Sequence, residues 1–332
     1  MRLPRLSLKA AWIAIGIVLV VLAALPWFLN SYYVGIAIFI GIQSMVTVGL
    51  CLLIGYTGQV SLGQAAFYGI GAYVSAILTA TYGVNPWGAI IAAALITGGF
   101  AYLIGIPIMR LRGNYLAMAT LGLGIIMYIV FREAAQFTGG NTGISGIPYI
   151  SIGGLVFDTD MEYYYLVWVF CIAVMFIAQN IVNSRTGRAL RAIRDNATAA
   201  EAIGINVAQL KVRVFVLSAV FASLAGSLYV HYLTYISPQP FDFSFSVRLL
   251  LMAVVGGLAS IWGAIFGTTT VTFLGDFLHG FGELDTIVFG LVLVLVMVFL
   301  PRGLWVHLLA YLRKWGARRR PGARSKAPLR RD

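Results

Sequence analysis

Charge is what this sequence has least of. Asp, Glu, Lys and Arg make up 10% of its 332 residues, against about 25% in an ordinary soluble domain. None of them occurs between Ala10 and Met109. A water-exposed fold could not cover itself with so little charge. A soluble globular protein, a disordered chain and a nucleic-acid-binding domain are all excluded. Cysteine is scarce too: Cys51 and Cys171 both lie in apolar runs and suggest neither a disulfide framework nor a thiolate metal site. The four lysines follow Leu8, Leu210, Arg313 and Ser325. The phosphate-cradling GxxxxGK[ST] loop needs a lysine after glycine, so this chain does not carry it. His231, His279 and His307 have no metal-binding spacing and read as interfacial side chains. No carboxylate pair lies within an apolar run, so a proton-coupled pump lacks its usual relay.

What is abundant is apolar surface, 60% of the residues. A membrane span needs about 20 apolar residues. Residues 10–29, 33–54, 58–80, 87–109, 115–133, 163–182 and 214–236 qualify. The uncharged stretch 249–275 is long for one span and short for two, and a last apolar run covers 286–300. Basic residues cluster at Arg2, Arg5 and Lys9, at Arg110 and Arg112, through 185–213, and from Arg302 onward. The positive-inside rule places these four regions, and so both termini, in the cytoplasm. An odd number of crossings must then follow the outer loop at 237–246, and length favours three. The expected fold is an all-α polytopic membrane protein of about ten transmembrane helices, some short or broken. Residues 1–9 form a cytoplasmic N-terminus. Residues 10–304 form the transmembrane domain, with an inner loop at 183–213 and an outer loop at 138–162. Residues 305–332 form a basic cytoplasmic tail suited to anionic lipid, not nucleic acid. The first run reads as an uncleaved anchor.

The 37 glycines suit close helix packing in lipid, as at Gly98–Gly99, Gly256–Gly257 and Gly263–Gly267. Residues Gly55–Ala72, GYTGQVSLGQAAFYGIGA, are unusual: five glycines weaken a helix by about 1 kcal/mol each. On a helix, Ser61, Gln64, Tyr68, Ser75 and Thr79 would form one polar stripe. It lines a pathway or a broken helix beside a cavity, or it is polar glue between helices. Tyr56, Gln59, Ser61, Gln64, Tyr68 and Thr120 are the candidate pathway residues. Asp276 is expected at a wetted helix end. The turn-rich outer segment Thr138–Pro148, with Asp158–Glu162, either caps the pathway, meets an outer partner or simply connects.

The most specific segment is SRTGRALRAIRDNATAAEAIGINVAQLKVR, Ser184–Arg213. Arg185, Arg188, Arg191 and Arg194 recur every three residues and share a helix face. Thr198 to Glu201 has the capping-box pattern, and Gly204 suits a C-cap. A short, blunt helix in a basic loop can seat in a groove on another protein.

This loop resembles the "EAA" loop by which permeases of ABC importers dock on their ATPases. The chain as a whole resembles the LivM-type permeases of branched-chain amino acid importers. Supporting stretches are GYTGQVSLGQAAFYGIGAYVSA from Gly55, RLRGNYLAMATLGLG ending at Gly124, TGGNTGISGIP from Thr138, VVGGLASIWGAIFG ending at Gly267, and PRGLW at 301–305. The loop lacks the Leu-Pro closure of the general motif. The resemblance implies alternating access, a LivH-like permease partner, two ABC ATPase subunits below and an extracytoplasmic substrate-binding protein above. It implies no enzyme and no cofactor on this chain, with ATP–Mg held by the partner subunits. It implies that Arg188, Arg191, Arg194, Ala199, Ala200, Glu201, Ala202 and Gly204 face the ATPase. Urea, short-amide or other amino acid importers are alternatives, as is a stand-alone channel or secondary transporter.

Overall fold

A computed structural model describes residues 24–111 and 113–278, with Leu22 and Gly290. The apolar runs at 10–29 (most of it) and 286–300, together with His279, His307 and the basic tail, lie outside these residues. Among the described residues, five helical segments are long and apolar enough to cross a membrane, or six if a bent pair counts as one span.

Helix α1 (Ser31–Cys51) is apolar on every side and is buried through most of its length. A helix without a polar face belongs in the middle of a bundle. It continues through a π-helical turn, Leu52–Thr57, and stops at Gly58, whose φ of 71° is left-handed. After it come α2 (Gln64–Ala76), α3 (Pro86–Ile108), α4 (Asn114–Glu133), α5 (Asp160–Asn183) and α8 (Val207–Leu233), of which α5 and α8 pack most closely on it. Between the last two run two short helices, α6 (Arg185–Asp195) and α7 (Ala197–Ala202). The described fold ends with α9 (Phe243–Gly256) and α10 (Ile261–Leu278).

Helices α2 and α8 run parallel. Gln64 meets Ser218 and Ser75 meets His231, a nearly constant offset along both helices. Their backbones approach so closely that a Cβ at Gly71 would overlap the Ser223 main chain, and one at Gly226 the Tyr68 carbonyl. Lipid supplies no hydrophobic drive between helices, so this small-residue contact gains dispersion instead.

One expectation about spans changes, and one question the sequence left open is answered. Residues 58–80 are not one helix: Gly58–Gly63 is irregular, and α2 begins only at Gln64. Side chains take over two of the main-chain bonds around the break. The Leu62 N–H donates to Thr120 Oγ1 (3.0 Å) and the Ala65 N–H to Ser246 Oγ (3.1 Å). Irregular backbone survives at membrane depth only when protein satisfies it in this way. The stretch 249–275, long for one span, belongs to two helices, α9 and α10, bent by 119° at the break between them. Gly256, Gly263 and Gly267 have no room for a side chain where the two arms meet, so the expected close packing holds there. At the other pair, Gly98 faces Val220, whereas a Cβ on Gly99 would meet nothing within 4 Å.

The segment Thr138–Pro148 is ordered by two-residue strands: Ile144–Ser145 pairs antiparallel with Tyr235–Ile236. Gly143 abuts the Ile236 carbonyl with φ 71°, which explains a glycine there.

Candidate functional site

The basic loop folds as a helical elbow. Ser184 caps α6 by accepting the Gly187 N–H (3.4 Å), and Gly187 lies against the Val182 carbonyl where a Cβ would not fit. Leu190 and Ile193 are buried, and the arginines lie on the remaining surface. They do not act alike. Arg188, Arg191 and Arg194 are all exposed, but Arg191 also donates to the Val182 carbonyl (3.3 Å) and Arg194 to the Gly55 carbonyl. Both of the latter are engaged with their own chain.

The expected capping box at Thr198 is not formed. Asn196 caps α7 instead, accepting the Ala199 N–H (3.0 Å). Asn196 is extended (φ −159°) and also closes α6, so one residue separates the two helices. Asparagine caps at least as well as threonine, and here it stands first. Gly204, at φ 84°, ends the element as anticipated, with its N–H on the Glu201 carbonyl (2.9 Å). Of the residues assigned to docking, Ala199, Glu201, Ala202 and Gly204 are exposed, but Ala200 is 2% exposed and packs inward. The most apolar exposed group is Ile203, at 75% exposure. Sequence reasoning passed over it, although an isoleucine beside Gly204 in a polar loop was the available signal.

The candidate pathway residues lie mostly in the protein interior. Ser61, off α2, is not part of a helical stripe. Gln64 bonds Ser218 (3.1 Å), and Thr120 Oγ1 holds the Leu62 N–H. Tyr68 packs against Tyr229, Phe241 and Phe245, with ring centroids 5.0–5.5 Å away. Tyr56 donates to the Ala259 carbonyl (2.8 Å) in the turn between α9 and α10. Gln59 alone of the six lines a described cavity, of about 210 Å³, with Thr57, Gly58, Asn114 and Lys211. Gln59 Nε2, Ser61 Oγ and Gln64 Oε1 are buried without a hydrogen-bond partner.

His231 packs inside the protein. It is fully buried, with Ser75 Oγ at 2.9 Å from Nε2 and the Pro148 carbonyl at 2.7 Å from Nδ1. Its two ring nitrogens tie α2 to the segment ending at Pro148, which only the folded chain brings together. Sequence reasoning also missed a larger cavity, about 580 Å³, where the first residues of α1 and α5 meet the end of α10. Asp276, in the last turn of α10, lies on its wall and accepts from the Tyr32 hydroxyl.

These features define a class: a multi-pass helical membrane protein with buried small-residue seams, a broken span and a short exposed helix between spans, the architecture of a permease. The family described as the branched-chain amino acid transport system permease component matches residues 32–299, and the chain belongs to it. It is 31% identical over 241 residues to the high-affinity branched-chain amino acid permease proteins LivM of Salmonella typhimurium and of Escherichia coli. Each match covers 66% of this chain and 57% of the relative's own length. The permease protein BraD of Pseudomonas aeruginosa is 29% identical over 229 residues, 65% of this chain and 73% of that protein. No solved structure gives a significant match.

Proposed function

We propose that this chain is one of two permease subunits of an ATP-driven importer, forming the pathway for branched-chain, aliphatic amino acids. In this reading it crosses the bacterial cytoplasmic (inner) membrane about ten times with both termini inside. A LivH-like permease sits beside it. Two ATPases, which bind ATP–Mg and carry out all the hydrolysis, dock on α7, and a binding protein delivers substrate from outside. Membership of the permease family and the LivM relatives support the substrate class.

The observation that carries the reading is the exposed end of α7. Ala199, Glu201, Ala202, Ile203 and Gly204 form a small, blunt surface with one apolar projection. Ile203 stands 75% exposed beside Glu201 and Gly204 in this otherwise small and polar surface. A groove on a partner would cover it. Behind this surface, Arg194 reaches Gly55, and Tyr56 reaches the α9–α10 turn. Movement of a docked subunit therefore has a rigid route into the spans. Alternating access needs such an element, biased differently in its two states.

The test is affinity purification of the tagged chain in mild detergent with mass spectrometry of its partners, followed by leucine-stimulated ATP hydrolysis. Two proteins bearing GxxxxGK[ST] and a second permease are expected. A chain that stays alone when candidate ATPases are co-expressed overturns the importer reading.

A further inference from the structure

The cavity of about 580 Å³ falls within the range of small-molecule sites, about 300–1,000 Å³. Its wall carries both signs of charge: Arg248 on α9, Asp160 at the start of α5 and Asp276 near the end of α10. The mouth is built from the first residues of α1 and α5. Ser31 donates to Asp160 Oδ2, Tyr232 to Asp160 Oδ1 (3.0 Å), and Tyr32 to Asp276 Oδ1. These bonds fix both carboxylates in place and leave each with further lone pairs, and Arg248, itself engaged within the chain, has five N–H donors, more than one partner can take. The cavity reaches down α1 to Gln43, twelve residues below Ser31 and about 18 Å deeper at 1.5 Å per residue. There Gln43 Oε1 accepts from Thr272 (3.3 Å). Arg248 lies one turn from Met252, whose sulfur meets Thr47 (4.0 Å). Between the charges the wall is apolar, with Ile36, Phe39, Met252 and Val271.

An ionised side chain on a transmembrane wall is costly and marks a pathway more often than a scaffold. A guanidinium, two carboxylates and an aliphatic surface around one space match a small zwitterion with an apolar side chain. We infer that this cavity binds the transported amino acid, with its carboxylate toward Arg248, its ammonium group toward Asp160 and Asp276, and its side chain on Ile36, Phe39 and Val271. The inference rests on the amino acid reading above. It adds a site within this subunit on the outer side of the membrane.

The test uses the intact importer complex, purified without its binding protein and incubated with tritiated leucine. Saturable binding is expected. Unlabelled leucine should compete, but 3-methylbutan-1-amine, which lacks the carboxylate, and 4-methyl-2-oxopentanoate, which lacks the ammonium, should not. Loss of one charge-assisted contact corresponds to about tenfold weaker binding, so Arg248→Gln and Asp276→Asn should each show about that. If either fails to assemble, Ile36→Phe narrows the cavity without touching a charge and should also reduce bound leucine. Unchanged leucine binding in all assembled variants, with leucine uptake intact, overturns the site and spares the functional reading. Uptake of urea or another amide in place of leucine overturns the functional reading itself. Retention of phosphatidylethanolamine by the wild type and its loss from Arg248→Gln, with no leucine bound, overturns the inference in favour of a lipid headgroup.

Discussion

The guanidinium of Arg194 donates to the backbone carbonyl of Gly55. These residues are far apart in sequence, one at the end of α6 and the other in the π-helical turn that extends α1. Gly55 lies so close to the α9–α10 turn that a Cβ there would overlap the Leu258 carbonyl. The short basic helix, the central helix and the bent pair therefore meet at one point. Arg194→Ala removes a charge-assisted bond worth about 1.5–3 kcal/mol. The expected variant still inserts and still copurifies with its partners through α7, but its uptake per ATP hydrolysed falls several-fold. Parallel assays of ATPase rate and leucine uptake in proteoliposomes check this. An unchanged ratio would mean that the contact transmits nothing.

Gln64 illustrates the opposite role. Its amide bonds Ser218 across the α2–α8 seam and faces no described cavity. Gln64→Leu strands the Ser218 hydroxyl and loses one interhelical bond, about 0.6–2 kcal/mol within a membrane. The unfolding temperature in detergent should drop by a few degrees, while the KM for uptake at permissive temperature stays close to wild type. A large rise in KM with unchanged thermal stability would place Gln64 on the pathway.

The glycines separate sharply by what surrounds them. At Gly226 a Cβ would run into the Tyr68 carbonyl, a backbone atom that cannot swing aside. At Gly99 nothing lies within 4 Å. Overpacking a tight core costs about 1–3 kcal/mol and sometimes more. Gly226→Val should therefore abolish monodisperse expression, and Gly99→Val should leave it unchanged. Size-exclusion profiles of the two variants decide the matter.

The long apolar helices were legible because composition and length alone determine them. The α9–α10 break was legible in part, since 27 uncharged residues fit neither one span nor two comfortably. The non-helical Gly58–Gly63 was harder. Its apolar flanks read as a continuous span, and the groups that stabilise the break, Thr120 and Ser246, come from distant helices. The burial of Ala200 and His231, and the meeting of Asp160, Arg248 and Asp276 on one wall, depend in the same way on tertiary contacts that no local pattern encodes. The short helix α7, by contrast, is local: a cap, a few alanines and a glycine. The sequence misplaced its N-cap, Thr198 for Asn196, and did not show that Ala200 turns inward or that Ile203 projects.

That locality makes α7 the sharpest place to test the importer reading. Gly204 has φ 84°, and a Cβ built on it meets no atom within 4 Å. A side chain there costs about 1–2 kcal/mol of local backbone strain. It creates no clash within the subunit, so Gly204→Trp should insert and fold. The indole would project from the surface that carries Ile203, where a partner's groove must close. Ile203→Asp attacks the same contact differently, placing a charge where an apolar group would be covered. Both variants should lose most of their copurified ATPase while keeping the second permease, and uptake should fall in proportion. The two losses have different physical causes, bulk in one and desolvation in the other. Agreement between them would locate the docking surface on α7, whereas normal ATP-driven uptake by a well-expressed Gly204→Trp complex would remove it from there.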